Sequence, residues 1–289
     1  MSVLIDKNTR LIVQGITGRE GTFHAEQMLQ YGTQVVAGVT TGKGGQTVLG
    51  VPVFDTVKEA IEATNANASI LFVPAKHTAA GVYEALDAGL ELVITIAEHV
   101  PVKDMMGIYH FSKSKNCRVI GPNSFGIISP GKAKAGFMSH KIFSEGNVGV
   151  MSRSATNCYE TISMMTNNGI GQSTCIGVGG DMIPGSTFLD LLPLFEQDEQ
   201  TKMIVMIGEI GGNEEELAAE YIKENITKPV IALIAGKNAP KGKSMGHAGA
   251  IVSADGTGSA ENKEKMLAAA GVHIAENTAG IVEIVKKLL

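Results

Sequence analysis

Short apolar runs recur along the chain, each closed by glycine or a small polar loop and separated from the next by a stretch of helical period. They fall at Leu11-Ile12-Val13-Gln14-Gly15 and at 34–39, 69–74, 92–97, 118–122, 148–152, 174–179, 203–208 and 230–236. Runs so short and so continuously apolar suit strands buried on both faces. Helical patterns lie between them at 56–63, 79–88 (ended by Gly89), 214–223, 261–270 and 279–288. This is the βαβ rhythm of a parallel sheet covered on both sides. A Gly-, Pro- and Lys-rich loop is expected over 121–146. The pattern therefore predicts an α/β chain of two doubly wound domains, 1–122 and 123–289, which a length of 289 residues accommodates. No tandem repeat or low-complexity tract interrupts it.

In open parallel sheets, ligands sit beyond the carboxyl ends of the strands. Glycine makes up 35 of the 289 residues, about 12% against a usual 7% or so, and it clusters at those ends. Gly15 and Gly18, Gly42, Gly44 and Gly45, Gly179 and Gly180, Gly211 and Gly212, and Gly246 and Gly249 are the instances. Turn geometry alone accounts for any one of them; their shared location suggests backbone that ligands approach closely. With 24 Lys and Arg against 29 Asp and Glu, the net charge is −5. That balance disfavours nucleic-acid binding and a polybasic membrane anchor. Cys117, Cys158 and Cys175 are far apart and form no CxxC pair, which fits a reducing compartment. No signal-peptide pattern opens the chain and no run is long enough to span a membrane. A cytoplasmic protein is expected, or one of a mitochondrial or other organellar matrix if a transit peptide has been removed.

Gly15-Ile16-Thr17-Gly18-Arg19-Glu20-Gly21 follows a strand and opens a helix, the setting in which backbone N–H groups hold a phosphate. A dinucleotide site also needs an acidic residue at the end of the second strand. Here that strand runs instead into Thr40-Thr41-Gly42-Lys43-Gly44-Gly45, which suits another phosphate better than a ribose. The stretch Gly236-Lys237-Asn238-Ala239-Pro240-Lys241-Gly242-Lys243-Ser244 resembles a P-loop with one residue too many, and Met245-Gly246-His247 is a poor helix start. A P-loop is therefore rejected, and any nucleoside triphosphate is expected on another chain. No two of the seven histidines are spaced as metal ligands, so no metal site is expected. An isolated histidine is by default structural. His247 differs in standing between Gly246 and Gly249 beyond a strand, while Gly208-Glu209-Ile210-Gly211-Gly212 supplies a carboxylate at another strand end. A carboxylate accepting one ring N–H would fix the tautomer and leave the other nitrogen nucleophilic.

The motifs Gln14 to Gly18, Gly42-Lys43-Gly44-Gly45, Gly121-Pro122-Asn123, Ser152-Arg153-Ser154, Gly179-Gly180, Gly208-Glu209-Ile210-Gly211-Gly212 and Gly246-His247-Ala248-Gly249-Ala250 occur in one order along the chain. Together they resemble the alpha-subunit family of succinate–CoA ligase (succinyl-CoA synthetase). The resemblance implies a Rossmann-like domain that binds coenzyme A, followed by a flavodoxin-like domain carrying a phosphorylatable histidine. By motif, Thr17, Gly18, Arg19, Glu20, Lys43, Ile96, Ala97 and Glu98 fall at coenzyme A positions. His247 falls on the phosphohistidine, Glu209 on the carboxylate that orients it, and Tyr159 on a position that contacts the acid. An ATP-grasp beta subunit, in an αβ or α2β2 assembly, is implied as the holder of ATP or GTP with Mg2+. The implied reaction runs from triphosphate to His247, to an acid carboxylate, and then to coenzyme A through an acyl phosphate.

Two loops depart from the family pattern. Where the family reads Ser-Arg-Ser-Gly-Thr-Leu, this chain has Ser152-Arg153-Ser154-Ala155-Thr156-Asn157; where it reads Gly-Pro-Asn-Cys-Pro-Gly, this chain has Gly121-Pro122-Asn123-Ser124-Phe125-Gly126. Asn123, Ser124, Phe125, Ser154, Ala155, Thr156 and Asn157 are expected around the acyl group. Drift within a succinate enzyme is one reading. The other is a changed acid, such as sulfoacetate or malate, with Phe125 shortening the pocket and Asn157 and Ser124 adding hydrogen bonds. A non-catalytic CoA-binding subunit is opposed by the intact Glu209 and His247. A nicotinamide-dependent oxidoreductase is opposed by the missing acidic residue near 37–40.

Overall fold

The computed structural model describes residues 2–240, 246–247, 249–253 and 257–289. Gly242-Lys243-Ser244 of the P-loop-like stretch, and Ala248, lie outside the described residues. The chain opens with β1 (Arg10–Gln14), α1 (Arg19–Tyr31), β2 (Gln34–Val39), β3 (Thr47–Val48), β4 (Val51–Phe54) and α2 (Val57–Thr64). It continues through β5 (Ala68–Leu71), α3 (Ala75–Asp87), β6 (Leu92–Thr95), α4 (Val102–Ser114) and β7 (Arg118–Ile120). Local chemistry sets the boundaries. In α2, Thr56 and Glu59 exchange side-chain and backbone hydrogen bonds as a capping box, and Asn65 ends the helix at φ +51°.

These strands form one sheet in the order β3-β4-β2-β1-β5-β6-β7, parallel throughout except for the β3–β4 pair. From β4 to β7 this is the Rossmann order: the chain builds outward from β1, then returns to its other side at β5. The crevice that such a reversal opens lies at the carboxyl ends of β1 and β5. The apolar runs at 69–74 and 92–97 give strands that stop at Leu71 and Thr95, so that 72–74 and 96–98 are left as loop at the rim of this crevice.

The second sheet draws on β8 (Gly126–Ser129), β9 (Ala133–Gly136), β10 (Glu145–Ser152), α5 (Ala155–Asn167), β11 (Gln172–Gly177), α6 (Phe188–Gln197) and β12 (Met203–Glu209). After these come α7 (Glu214–Asn225), β13 (Val230–Ala235), α8 (Ala260–Ala269), β14 (His273–Ile274) and α9 (Thr278–Leu288). Its order is β14-β13-β12-β10-β11-β8-β9. The run β11-β10-β12-β13-β14 is parallel and in flavodoxin order, with its own reversal between β10 and β12. Ser152 and Glu209 end the two strands that flank that point.

The expected loop at 121–146 is not wholly a loop. It contains the β8–β9 hairpin, which extends the second sheet antiparallel through β11, so this sheet is mixed. Ala133-Lys134-Ala135-Gly136 has none of the β-branched or aromatic residues that advertise a strand, and its pairing comes from β8 rather than from propensity. Helix α6 also escapes the pattern: it is apolar around much of its surface and holds Pro193, although Thr187 and Asp190 cap it with a second capping box.

The two sheets share apolar packing. One buried cluster joins Leu11, Ile94 and Ile120 of the first to Ile127, Ile176, Val178 and Phe188 of the second. Hydrogen bonds cross as well: Gly185 N to Gly121 O at 2.7 Å, Ser186 Oγ to Val119 O at 2.8 Å, and Thr33 Oγ1 to Lys134 O at 2.8 Å.

Candidate active site

Glu209, the last residue of β12, is 5% exposed. Its Oε2 lies 2.7 Å from His247 Nδ1, and its Oε1 lies 3.2 Å from Arg153 Nε, next along the chain from the end of β10. The Arg153 contact is electrostatic: neither atom completes a hydrogen bond there. The carboxylate is therefore fixed between a guanidinium and an imidazole at the reversal point of the second sheet. The hydrogen bond to Glu209 raises the His247 pKa above its ordinary value, against a lowering from burial.

The backbone that carries Glu209 is also clamped. Lys263 of α8, fully buried, donates to Glu209 O at 3.0 Å and to Gly211 O at 2.6 Å, and pairs with Glu215 at the start of α7. Glu215 in turn accepts from Glu209 N at 3.1 Å. Gly211 sits at φ +90°, and a Cβ there would collide with Gly249 O of the histidine loop. Gly180 packs under the imidazole, where an added Cβ would lie 2.5 Å from His247 Nδ1. Glycine at these two positions lets the histidine loop rest on the strand ends.

The first sheet's crevice has a volume of about 620 Å³. Gly18, Arg19, Glu20 and His24 of the α1 end line one side, and Phe72, Val73, Ile96, Ala97 and Phe137 line the other. Five of the residues expected at coenzyme A positions thus border one cavity: Gly18, Arg19, Glu20, Ile96 and Ala97. A helix start that offers backbone N–H groups, beside a wall of aromatic and aliphatic side chains, fits a ligand with phosphates at one end and a long, weakly polar arm. Thr17, Lys43 and Glu98 stand outside this lining. Thr17 Oγ1 donates to Thr40 Oγ1 at 3.2 Å; Lys43 sits in an exposed loop whose Lys43 and Gly44 N–H groups bond to Asp55; Glu98 is exposed beside His99.

A relay of backbone contacts connects the crevice to the histidine. Asn123 N donates to Ala97 O at 2.9 Å, Gly180 N donates to Asn123 O at 3.3 Å, and Gly180 supports the His247 ring. Asn123 Nδ2 also donates to Asp181 Oδ1 at 3.2 Å. Ser154 caps α5, its Oγ accepting from Asn157 N at 3.3 Å and Asn157 Nδ2 at 3.1 Å. Ala155 and Thr156 open that helix, so its positive end starts two residues past Arg153.

Three of the expected acyl-group contacts are placed otherwise. Ser124 is buried; its hydroxyl donates to Gly177 O at 2.6 Å and accepts from Gly126 N at 2.9 Å, so it serves the loop. Phe125 is buried in the core, its ring 5.5 Å from that of Tyr159, and does not project into a pocket. Asn157 spends its amide on Ser154. Among the described residues the buried Tyr159 hydroxyl has no hydrogen-bond partner, and burial pushes its pKa far up. The residue-type reasoning assigned no role to Arg153, Asp181, Lys263 or Glu215. Arg153 stands in a quoted motif, but Lys263 and Glu215 read as ordinary helix-surface charges, and only folding shows them buried. Among the described residues no group of three or more His, Cys, Asp or Glu is arranged to hold a metal ion, and no helix is long and apolar enough to cross a membrane.

Comparison with known proteins agrees with this architecture. Residues 6–99 match the CoA binding domain family, and residues 151–273 match the CoA-ligase family. Fold and site thus define an acid–thiol ligase that binds coenzyme A. The "Succinate--CoA ligase [ADP-forming] subunit alpha" of Aquifex aeolicus is 53% identical over 291 residues, covering 100% of this chain and 95% of that protein. Subunit alpha 2 of the same enzyme from Archaeoglobus fulgidus is 50% identical over 289 residues, covering 100% of both chains. The chain belongs to the succinate–CoA ligase alpha-subunit family. Among solved structures, ATP citrate lyase from Methanothrix soehngenii, in complex with citrate and coenzyme A, superposes with a TM-score of 0.89 at 25% identity. That match covers 99% of this chain and 51% of the lyase, so the chain corresponds to about half of the larger protein.

Proposed function

We propose that this chain carries the phosphohistidine, His247, of a nucleoside-diphosphate-forming ligase that joins succinate to coenzyme A. The Glu209–His247 contact, set beside the start of α5 and linked to the crevice, carries the reading. Glu209 keeps the proton on Nδ1, which concentrates the lone pair on Nε2, the nitrogen that attacks a phosphoryl group. As the imidazole becomes cationic on phosphorylation, the Glu209 carboxylate offsets its charge. In this reading the buried Arg153 guanidinium holds Glu209, and the amino end of α5, two residues past Arg153, meets the transferred anion and contributes roughly 0.3 to 2 kcal/mol. His247 then passes the phosphoryl group to the acid, and the thiol displaces phosphate from the acyl phosphate.

The triphosphate, with Mg2+, belongs on an ATP-grasp beta subunit; the names of the relatives, alpha subunits of ADP-forming enzymes, support ATP over GTP. The reading treats 1–122 as the unit that binds coenzyme A through Thr17, Gly18, Arg19, Glu20, Lys43, Ile96, Ala97 and Glu98. It treats 123–289 as the ligase unit, with Asn123, Ser154 and Tyr159 nearest the acid. A cytoplasmic setting agrees with three cysteines that remain free thiols. Of the substitutions that suggested another acid, Ser124, Phe125 and Asn157 are engaged within the fold, which favours succinate over malate or sulfoacetate. Steady-state rates of the alpha–beta pair with succinate, malate and sulfoacetate test this. Succinate should have the highest kcat/KM; a clear preference for either of the others overturns the substrate assignment.

A further inference from the structure

Two thiols that the reaction does not use lie against each other. Cys158 belongs to α5 and Cys175 to β11; their sulfurs are 3.4 Å apart, and both side chains are fully buried. Both are free thiols. A disulfide asks for about 2.0 Å between sulfurs, so a further approach of roughly 1.4 Å would join them. The third thiol, Cys117, stands apart, just before β7 of the first sheet. Cys158 is the fourth residue of α5, and the chain just ahead of it reaches the surface: Thr156 is exposed, and Ser154, Ala155 and Asn157 are half-buried. The next residue, Tyr159, also stands near the pair, since burial and then the nearness of Cys158 and Cys175 push its pKa up.

We propose that Cys158 and Cys175 form a redox switch that hydrogen peroxide closes into a disulfide, slowing phosphorylation of His247. The effect on His247 rests on the ligase reading above; the cross-link itself does not. One sulfur attacks a peroxide oxygen, the O–O bond breaks, and water leaves with the thiol proton, giving a sulfenic acid. The second sulfur, already in contact, attacks the sulfenic sulfur. An S–S bond forms, the S–O bond breaks, and hydroxide leaves with the second thiol proton as water. Two electrons thus pass from the sulfurs to the peroxide, which ends as two waters. Burial, and then the Cys158 contact, hold the Cys175 thiol well above its ordinary pKa, so the pair stays reduced at low peroxide. Entry is through local opening of the first turn of α5. Because a close-packed interior transmits strain, drawing the sulfurs together pulls that turn toward β11. It is the turn capped by Ser154, whose amino end the proposed function sets against the transferred anion.

The assembled alpha–beta enzyme is titrated with hydrogen peroxide, then divided between peptide mass spectrometry without reductant and His247 labelling by ATP. A cross-linked peptide pair holding Cys158 and Cys175, lighter by two hydrogens, should accumulate in step with the loss of labelling. The fully cross-linked enzyme should label about tenfold more slowly or worse, and dithiothreitol should restore the rate. Cys158→Ala and Cys175→Ala, made separately so that one poorly folding variant does not decide the matter, should each keep their labelling rate through the same titration. Three results overturn the switch: both thiols still open to alkylation after unfolding when labelling is lost, a cross-linked enzyme that labels at the native rate, or the same peroxide sensitivity in both variants. A reduced native enzyme that takes no label would instead overturn the phosphohistidine reading, and the cross-link would still be seen by mass.

Discussion

Glu209 determines the behaviour of His247 through one 2.7 Å contact. Because the carboxylate holds the imidazole pKa above about 6.5, the stability linked to this proton is complete below about pH 6.5 and is lost as pH rises through the raised folded value. Phosphorylation needs the unprotonated Nε2, so its rate should climb with pH through that same raised value. In Glu209→Gln the imidazole titration followed by NMR should move to lower pH, and the acid limb of His247 labelling with it. An unchanged midpoint would mean that Glu209 does not control the ring. At this scale the sequence was partly legible. Gly246-His247 and Gly208-Glu209 announced a histidine and a carboxylate at strand ends, because glycine flanks are rare around a packed histidine. The family resemblance placed Phe125 and Ser124 at the acyl group, whereas one lies in the core and the other holds its own loop. Side-chain type does not reveal direction when a cluster of small residues allows the chain to turn either way.

Among the elements, α7, α8 and the end of β12 act as one unit. Lys263 of α8 bonds to Glu209 O and Gly211 O and pairs with Glu215 of α7, so three elements converge on the strand end that presents the Glu209 carboxylate. Lys263→Met leaves two carbonyls and a buried carboxylate without their donor. The expected cost is about 3–5 kcal/mol, read as a lower urea midpoint, with weakened His247 labelling in the fraction that remains folded. A loss below about 1 kcal/mol would show that the clamp is not needed. Most elements were legible because their apolar periodicity is strong, as in Met203-Ile204-Val205-Met206-Ile207. The β8–β9 hairpin was not, since Ala133-Lys134-Ala135-Gly136 forms a strand only against a partner. Nor was the burial of Lys263, which depends on packing between α7 and α8.

Across the whole molecule, the backbone relay from Ala97 through Asn123 to Gly180 connects the loops that follow β6 of the first sheet and β11 of the second. The relay links the crevice of one sheet to the histidine loop of the other, which is what the proposed transfer through phosphohistidine requires. The doubly wound architecture was legible from strand rhythm, but the shared core of Ile94, Ile120, Ile127 and Ile176 was not, because periodicity shows that a residue is buried and not what it is buried against. The central claim is that His247 is the covalent carrier. The alpha chain is incubated with its beta partner and γ-labelled ATP, and the protein-bound phosphate is then challenged with acid and with base. The account predicts a label that is acid-labile and base-stable, discharged by succinate with coenzyme A, and missing in His247→Asn; an unlabelled native chain, or a label that persists in His247→Asn, would contradict it.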